Sequence, residues 1–307
     1  MKYFYLHPFK PQYFFPEGFE RHKLFLSFFK PYSIKGKISW FLFVKFSYYR
    51  FLFKKKNIEE FIPEIKIRKI INVDSSIAFN SGTAGPEQKI TGLGLQKNGG
   101  LFFFKYAQSS AGIKNLLNEH YVLRAIQSLD FVPKIKYFYK DKTQVLLKTN
   151  VLFGNRLANI PLNESIINCL LKLSDQFVNL PNKTTNNLKY IFSHGDFCPW
   201  NMMEKNQKIL LFDWEMAGNY PVGYDLFTYI FQTNFLLKPK RPISEIFLEN
   251  ESFVKMYFDH FKIVNWNKYL LEFIFLKINF ETKKGKYGIS VFYKNLLNFL
   301  KHKKNNN

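Results

Sequence analysis

Hydrophobic and polar positions follow two periods along this chain. Between residues 76 and 148 the period is two. Ser76-Ile-Ala-Phe-Asn80, Lys89-Ile-Thr-Gly-Leu-Gly-Leu-Gln96 and Leu101-Phe-Phe-Phe-Lys-Tyr106 read as strands. A turn-rich loop, Ser81-Gly-Thr-Ala-Gly-Pro-Glu-Gln88, and a hairpin turn, Lys97-Asn-Gly-Gly100, separate them. Phe131–Phe138 and Gln144–Lys148, joined at Asp141-Lys142, complete a predicted sheet of five strands. One stretch inside this region, Gly112 to Leu129, has helical spacing in Leu116, Tyr121, Leu123, Ile126 and Leu129, and Glu119 is its only acid. Residues 156–190 read as helix on Ile166, Leu170, Leu173 and Phe177, ended by Pro181 and the polar run Asn182 to Asn187. Residues 226–300 alternate helical patterns with short breaks. Phe227, Ile230 and Phe231, and then Tyr269, Phe273, Leu276 and Phe280, form core faces. The tail, Lys301 to Asn307, reads as disordered.

Residues 1–70 differ in character. Four prolines punctuate an aromatic segment up to residue 35, which predicts an irregular arm with one short helix near Glu20–Phe29. Ile38 to Phe53 is a strongly apolar helix candidate followed by Lys54-Lys-Lys56. With Lys45 and Arg50 inside, it is short for a membrane span. Two readings stand: a helix packed against the neighbouring domain, or an interfacial helix making peripheral contact with an anionic membrane.

Composition narrows the partners. The 307 residues are 47% hydrophobic, enough for a substantial core. The 37 Phe, with abundant Lys, Ile and Asn, read partly as nucleotide-composition bias, so single Phe or Lys residues count for little. The net charge of +22 favours anionic partners such as nucleotides and disfavours polycations. No zinc-ligand pattern or nucleic-acid motif accompanies it, and nucleic acid is not expected as a partner. Cys169 and Cys198 form no disulfide framework and no cleavable signal peptide is read, so the expected location is cytoplasmic.

The chemistry concentrates in Phe192-Ser-His-Gly-Asp-Phe-Cys-Pro-Trp-Asn-Met-Met-Glu-Lys-Asn-Gln-Lys-Ile-Leu-Leu-Phe-Asp-Trp-Glu215. A hairpin turn at Asn206-Gln207 and an apolar strand, Lys208 to Phe212, bring Asp196, Asn201 and Asp213 together. Two carboxylates and an amide are hard oxygen ligands, suited to Mg²⁺. A Cys198–His194 nucleophilic pair and a metal-dependent hydrolase built on His194 are lesser alternatives. The hydrolase lacks a second His at ligand spacing.

His194-Gly-Asp-Phe-Cys-Pro-Trp-Asn201 followed by Phe212-Asp-Trp-Glu215 resembles the aminoglycoside phosphotransferase and choline kinase family of protein-kinase-like proteins. The resemblance implies an α+β, two-lobed protein-kinase-like fold, with a small antiparallel-sheet N-lobe, a mostly helical C-lobe and, here, an extra N-terminal helical arm. The expected division is arm 1–70, nucleotide-binding lobe 71–150, catalytic and acceptor-binding lobe 151–300, and tail 301–307. It further implies an ATP- and Mg²⁺-dependent kinase in which Asp196 accepts the acceptor hydroxyl proton while Asn201 and Asp213 hold the metal. Lys105 would meet the α/β-phosphates, braced by Glu119. Ser81, Gly82, Thr83 and Gly85 would approach phosphates through backbone N–H groups. Thr149 to Val151 would meet the adenine edge, Asp225 would cap a helix and brace the catalytic loop, and Glu215 would act structurally. The charge points to a sugar, glycan precursor or head-group alcohol rather than an aminoglycoside. The alternative is a catalytically weak kinase-like binding module at a membrane or in an assembly.

Overall fold

Strand alternation builds a single antiparallel sheet in the first half of the chain. It is seen in a computed structural model that describes residues 2–6, 13–16, 38, 41, 55–57, 62–71, 76–97, 99–157, 161–178, 187–285 and 287–305. The chain divides into two compact units, Met1–Gln127 with Pro133–Leu152, and Ser128–Val132 with Phe153–Asn307.

The first unit holds β1 (Lys2–Leu6), β2 (Tyr13–Pro16), β3 (Lys55–Asn57), helix α1 (Ile62–Ile71), β4 (Ser76–Asn80), β5 (Ile90–Leu95), β6 (Leu101–Ala107), helix α2 (Ser110–Ala125), β7 (Ile135–Lys140) and β8 (Val145–Thr149). The sheet has eight strands in the order β3-β1-β2-β4-β5-β6-β8-β7. Five were expected, and the other three come from the segment read as an irregular arm. The reason is local. Tyr13-Phe-Phe-Pro16 is aromatic and suits a pleated surface, and it pairs with the otherwise open edge of β4. Phe14 sits opposite Phe79, with the two rings stacked 4.8 Å apart. The expected helix at Glu20–Phe29 lies outside the described residues, as does the 38–53 helix apart from Ile38 and Phe41, both helical and exposed.

Ile67 and Ile71 of α1 pack with Phe14, Ile77, Phe79, Phe102, Phe104, Tyr106 and Leu146 in the core of this unit. Phe102 and Phe104 lie opposite Gly94 and Gly92, whose missing side chains leave room for the two rings. β7 begins four residues later than expected, after Pro133. Ser109 caps α2, accepting from the Gly112 N–H at 3.2 Å. Leu116, Leu123 and Ile126 are buried as predicted, whereas Tyr121 is 49% exposed.

The second unit holds β9 (Asn155–Arg156), α3 (Glu164–Ser174), β10 (Tyr190–Ser193), β11 (Met202–Lys205), β12 (Lys208–Leu211), β13 (Gly218–Pro221) and a run of helices. Helix α4 (Tyr224–Phe227) passes through a π-helical turn, Thr228–Gln232, into α5 (Thr233–Leu237). Helices α6 (Ile243–His260), α7 (Asn267–Lys283) and α8 (Tyr287–Asn305) follow. The expected helix over 156–190 is reduced to α3, because Pro161 precedes it and Asn163 starts it, accepting from the Ile166 N–H at 3.1 Å. Phe177, placed on that helix by its spacing, falls beyond the helix end and is 92% exposed. The predicted break at Pro181 to Asn187 lies outside the described residues except for Asn187. Lys301 to Asn305, expected to be disordered, continue α8.

Aromatic side chains fill the core of this unit. Phe227, Phe258, Phe231, Tyr224 and Tyr293 surround the rings of α7, with Phe273 at 5.3–6.3 Å from its neighbours. Among the described residues no helix is long and apolar enough to cross a membrane. An antiparallel sheet in one unit and a mostly helical second unit make the predicted α+β class.

Candidate active site

The hairpin β11–β12 does what its sequence requires. Asn206 and Gln207 both take positive φ, 49° and 62°, the geometry of a tight two-residue turn matched to strand twist. Its register pairs Met202 with Leu211, so Asn201 and Phe212 leave the hairpin at the same end. The Phe212 N–H donates to the Asn201 carbonyl at 3.1 Å. Asp213 then turns the chain in the left-handed region, φ 69° and ψ 61°, into the short 3₁₀ turn Trp214–Met216 that carries Glu215. Trp214 is fully buried and stacks on Phe192, anchoring this turn to β10.

The loop after β10 is fixed by backbone bonds. The pairing of Ser193 with Gly218 brings the next residues, His194 and Gly195, against the 214–217 segment. Gly195 takes φ 83°, and a Cβ there would collide with the Met216 carbonyl, so no other residue fits without displacement. Asp225 accepts from the His194 N–H at 2.6 Å and from the Gly195 N–H at 2.9 Å. The brace expected of Asp225 is therefore present, but the cap is not, since Gly223 starts α4. Burial pushes the Asp225 carboxyl above the ordinary range, offset by His194, the two N–H bonds and Lys277.

His194 is buried with both ring nitrogens committed. Nε2 lies 3.0 Å from the Phe212 carbonyl and therefore carries the proton, which leaves Nδ1 to accept the Asp196 N–H at 3.3 Å. This excludes the Cys198–His194 pair. The Cys198 thiol instead lies 3.7 Å from Asp196 Oδ1, and burial, then the nearby Asp196 charge, pushes it well up, so it stays a thiol.

Asp196 is held by neutral donors. Asn201 Nδ2 donates to Oδ2 at 2.9 Å and to the Asp196 carbonyl at 2.9 Å. Trp200 Nε1 is 3.5 Å from Oδ2, and Gln232 Nε2 donates to Oδ1 at 2.8 Å. With its Nδ2 taken by Asp196, Asn201 has Oδ1 as its ligand atom toward a cation. Asp196 and Asn201 are thus hydrogen-bonded to each other, and Asp213 follows the far strand of the hairpin that Asn201 opens.

Gln232 and Lys277 escaped the sequence reading. Gln232 ends the π-helical turn, and Lys277 lies 2% exposed on α7 with Nζ 2.9 Å from Gln232 Oε1. A signal for Lys277 existed. Phe273, Lys277 and Glu281 recur at four-residue spacing, and all three are buried on one helix face.

In the first unit, Lys105 on β6 and Glu119 on α2 form a buried ion pair, with Nζ 2.7 Å from both carboxylate oxygens. The loop between β4 and β5 is largely exposed at Thr83 and Gly85. Gly82 takes φ 74°, donates its N–H to Asn80 Oδ1 at 2.7 Å, and has no room for a Cβ beside the Lys89 carbonyl. Gln88 Nε2 donates to the Ser81 carbonyl at 2.9 Å. Thr149, the last residue of β8, is buried, as is Val151. Asn150 between them exchanges two hydrogen bonds with the Lys134 backbone.

Comparison with known proteins agrees with this geometry. Residues 120–246 match the phosphotransferase enzyme family, APH. No curated protein matches the chain. Similar solved structures include the amicoumacin kinase hAmiN in complex with AMP-PNP, Ca²⁺ and Ami, at 14% identity, TM-score 0.45, covering 65% of this chain and 78% of that one. An aminoglycoside-3'-phosphotransferase of type VIII aligns at 15% identity and TM-score 0.39, over 54% of this chain and 80% of its own. The aminoglycoside phosphotransferase APH(3'')-Id from Streptomyces rimosus ATCC10970 aligns at 11% identity and TM-score 0.41, over 64% and 87%. At such TM-scores these are likenesses only, and the α+β class rests on the antiparallel sheet of the first unit and the helices of the second. The stretch that matches the phosphotransferase enzyme family, residues 120–246, contains both the Asp196 loop and the Asp213 turn.

Proposed function

We propose that this phosphotransferase moves the γ-phosphoryl group of ATP, with Mg²⁺, to a hydroxyl of a small molecule: a sugar, a glycan precursor or a head-group alcohol. The observation that carries the reading is the Asp196 carboxylate. It is fixed by one short amide bond on each oxygen, 2.9 Å from Asn201 and 2.8 Å from Gln232, while the second contact on each, 3.5 Å from Trp200 and 3.7 Å from Cys198, is long enough for a bound hydroxyl to replace. The acceptor oxygen forms a bond to the γ-phosphorus, the bond from that phosphorus to the β,γ-bridging oxygen breaks, and the hydroxyl proton passes to Asp196. ADP leaves with the bridging oxygen.

Asn201 Oδ1 and the Asp213 carboxylate are the hard-oxygen donors that would hold Mg²⁺, which when bound neutralises phosphate charge. Residues 71–150 form the nucleotide-binding part in this reading, and 151–300 the catalytic and acceptor-binding part. Lys105, held by Glu119, offers its ammonium to the α/β-phosphates. Ser81, Thr83 and Gly85 offer backbone N–H groups, Gly82, whose N–H already donates to Asn80 Oδ1, shapes the loop, and the Thr149 to Val151 backbone meets the adenine edge. The net charge of +22 supports an uncharged or anionic acceptor over a polycation.

A screen for ADP formation with MgATP against sugars, choline-like alcohols and aminoglycosides tests this. At least one alcohol outside the aminoglycosides should be phosphorylated, and Asp196→Asn should lose that activity. Full activity in Asp196→Asn would overturn the role of Asp196. Failure to bind MgATP at all would overturn the kinase reading in favour of a binding module.

A further inference from the structure

The phosphoryl-transfer reading leaves one buried cation unused. Lys277 sits on α7 among Phe273, Tyr224 and Glu281, far in sequence from either motif. Its Nζ lies 5.0 Å over the Tyr224 ring and 5.7 Å over that of Phe273. Burying an ammonium is costly unless the fold uses it. The hydrogen bond it makes is specific: Nζ donates to Gln232 Oε1 at 2.9 Å, while Gln232 Nε2 donates to Asp196 Oδ1 at 2.8 Å.

This chain has a direction. An ammonium only donates, so the Gln232 carboxamide must turn its oxygen to Lys277 and its NH₂ to Asp196. Without Lys277 the amide could reverse and set its oxygen against the carboxylate. The π-helical turn strengthens the case. Thr228–Gln232 interrupts the helical run from Tyr224 to Leu237, single π-helical turns of this kind recur at functional sites, and Gln232 is the last residue of this one. Burial lowers the affinity of Lys277 for its proton, and the neighbouring Asp196, Glu281 and Asp225 offset part of that.

We infer that Lys277 and Gln232 are positioning residues for phosphoryl transfer: Lys277 sets the orientation of the Gln232 amide, and Gln232 sets the rotamer of the Asp196 carboxylate that receives the acceptor hydroxyl. The inference rests on the kinase reading for its consequence, but its geometry can be tested without turnover.

The first measurement uses the full chain labelled with ¹⁵N-glutamine, the Gln232 side-chain resonance being identified by its loss in Gln232→Met. Asp196→Asn should move that resonance in the wild-type background and should no longer move it once Lys277→Met is added. No response to Asp196→Asn in the wild type, or an equal response with and without Lys277→Met, overturns the inference. The second measurement follows ADP formation with MgATP and an acceptor from the screen. Lys277→Met should lower kcat about tenfold or more while KM for ATP stays within about twofold, and Lys277→Arg should restore part of the loss. A folded Lys277→Met with wild-type kcat, or one in which KM rises alone, overturns it. Should Lys277→Met fail to fold, Gln232→Glu decides. It keeps an acceptor for Lys277 but sets a second carboxylate against Asp196, and a wild-type kcat in that variant overturns the inference. If the wild type turns over no ATP, the kinase reading fails, while the resonance measurement still judges the Lys277–Gln232–Asp196 chain.

Discussion

The two units each hold a carboxylate, one buried and one half-buried, in opposite ways. In the sheet unit Glu119 meets a full positive charge, with both oxygens 2.7 Å from Lys105 Nζ. In the helical unit the described hydrogen-bond donors to Asp196 are amides, an indole and a thiol, with Lys277 held one residue away behind Gln232. The difference teaches what each carboxylate is for. Glu119 spends its charge fixing a lysine in place. Asp196 is oriented without being neutralised by direct contact, as the proton acceptor of the proposed reaction needs to be. Substitutions that remove charge but keep shape should therefore separate the two sites.

The largest effect belongs to Asp196→Asn. The carboxamide keeps the volume but cannot accept a proton, and kcat should fall by roughly 10²–10⁴-fold with KM for ATP little changed. Steady-state ADP formation measures this. Asp213→Ala should remove activity as fully, because a metal ligand is lost, and chelation of divalent cations should do the same to the wild type. If Asp196→Asn instead raised KM for ATP and spared kcat, the contrast between the two carboxylates would collapse.

Glu119→Gln comes next and should act mainly on nucleotide binding and on stability. It removes one charge from a buried pair, a change that costs roughly 3–5 kcal/mol. Urea unfolding should show that loss, and KM for ATP should rise. Asp196→Asn in the same assay should cost less, about 1–2 kcal/mol, since the donors on one side keep the amide oxygen while those on the other face its NH₂. Gly195→Ala tests the backbone instead of a charge. A methyl group against the Met216 carbonyl at φ 83° should cost about 1–3 kcal/mol and displace the Asp196 loop, lowering kcat and stability together.

Much of this was legible in the chain because it is written locally. The Asn206-Gln207 turn, the strand delivering Asp213, and Lys105 at the end of an apolar strand each follow from a few consecutive residues. What escaped was written at a distance. β2 is a short aromatic segment whose strand state depends on the open edge of β4, with partners such as Phe14 and Phe79 far apart in sequence, and β1 pairs in turn with β2, so the prolines around them misled. Lys277 lies on a helix of ordinary amphipathic appearance, and its contact with Gln232 is 45 residues long in sequence. The π-helical turn that points Gln232 at Asp196 has no composition of its own. Phe177 shows the reverse error, since a helical spacing was extended past the point where the helix ends.

The smallest effect sharpens the comparison by repeating its chemistry in water. Lys208, which opens the strand leading to Asp213, is paired with Asp130 at 3.0 Å, close to the 2.7 Å of the Lys105–Glu119 pair. Both side chains are about 70% exposed, at 69% and 71%. The hydrogen bond from Lys208 is the first of the causes holding the Asp130 carboxyl below its ordinary range. A carboxyl lowered in the folded state stabilises the fold above its unfolded value and loses that contribution as pH falls through the lowered one. Any effect therefore belongs to the acid side of the ordinary carboxylate range. Because water and salt screen the pair, Asp130→Asn should change unfolding free energy at neutral pH by about 0.5 kcal/mol or less and leave kcat untouched. Urea unfolding of Asp130→Asn beside Glu119→Gln would then show two lysine–carboxylate pairs of nearly equal length differing several-fold in effect. A loss in Asp130→Asn as large as that in Glu119→Gln would mean that burial is not what distinguishes the two pairs.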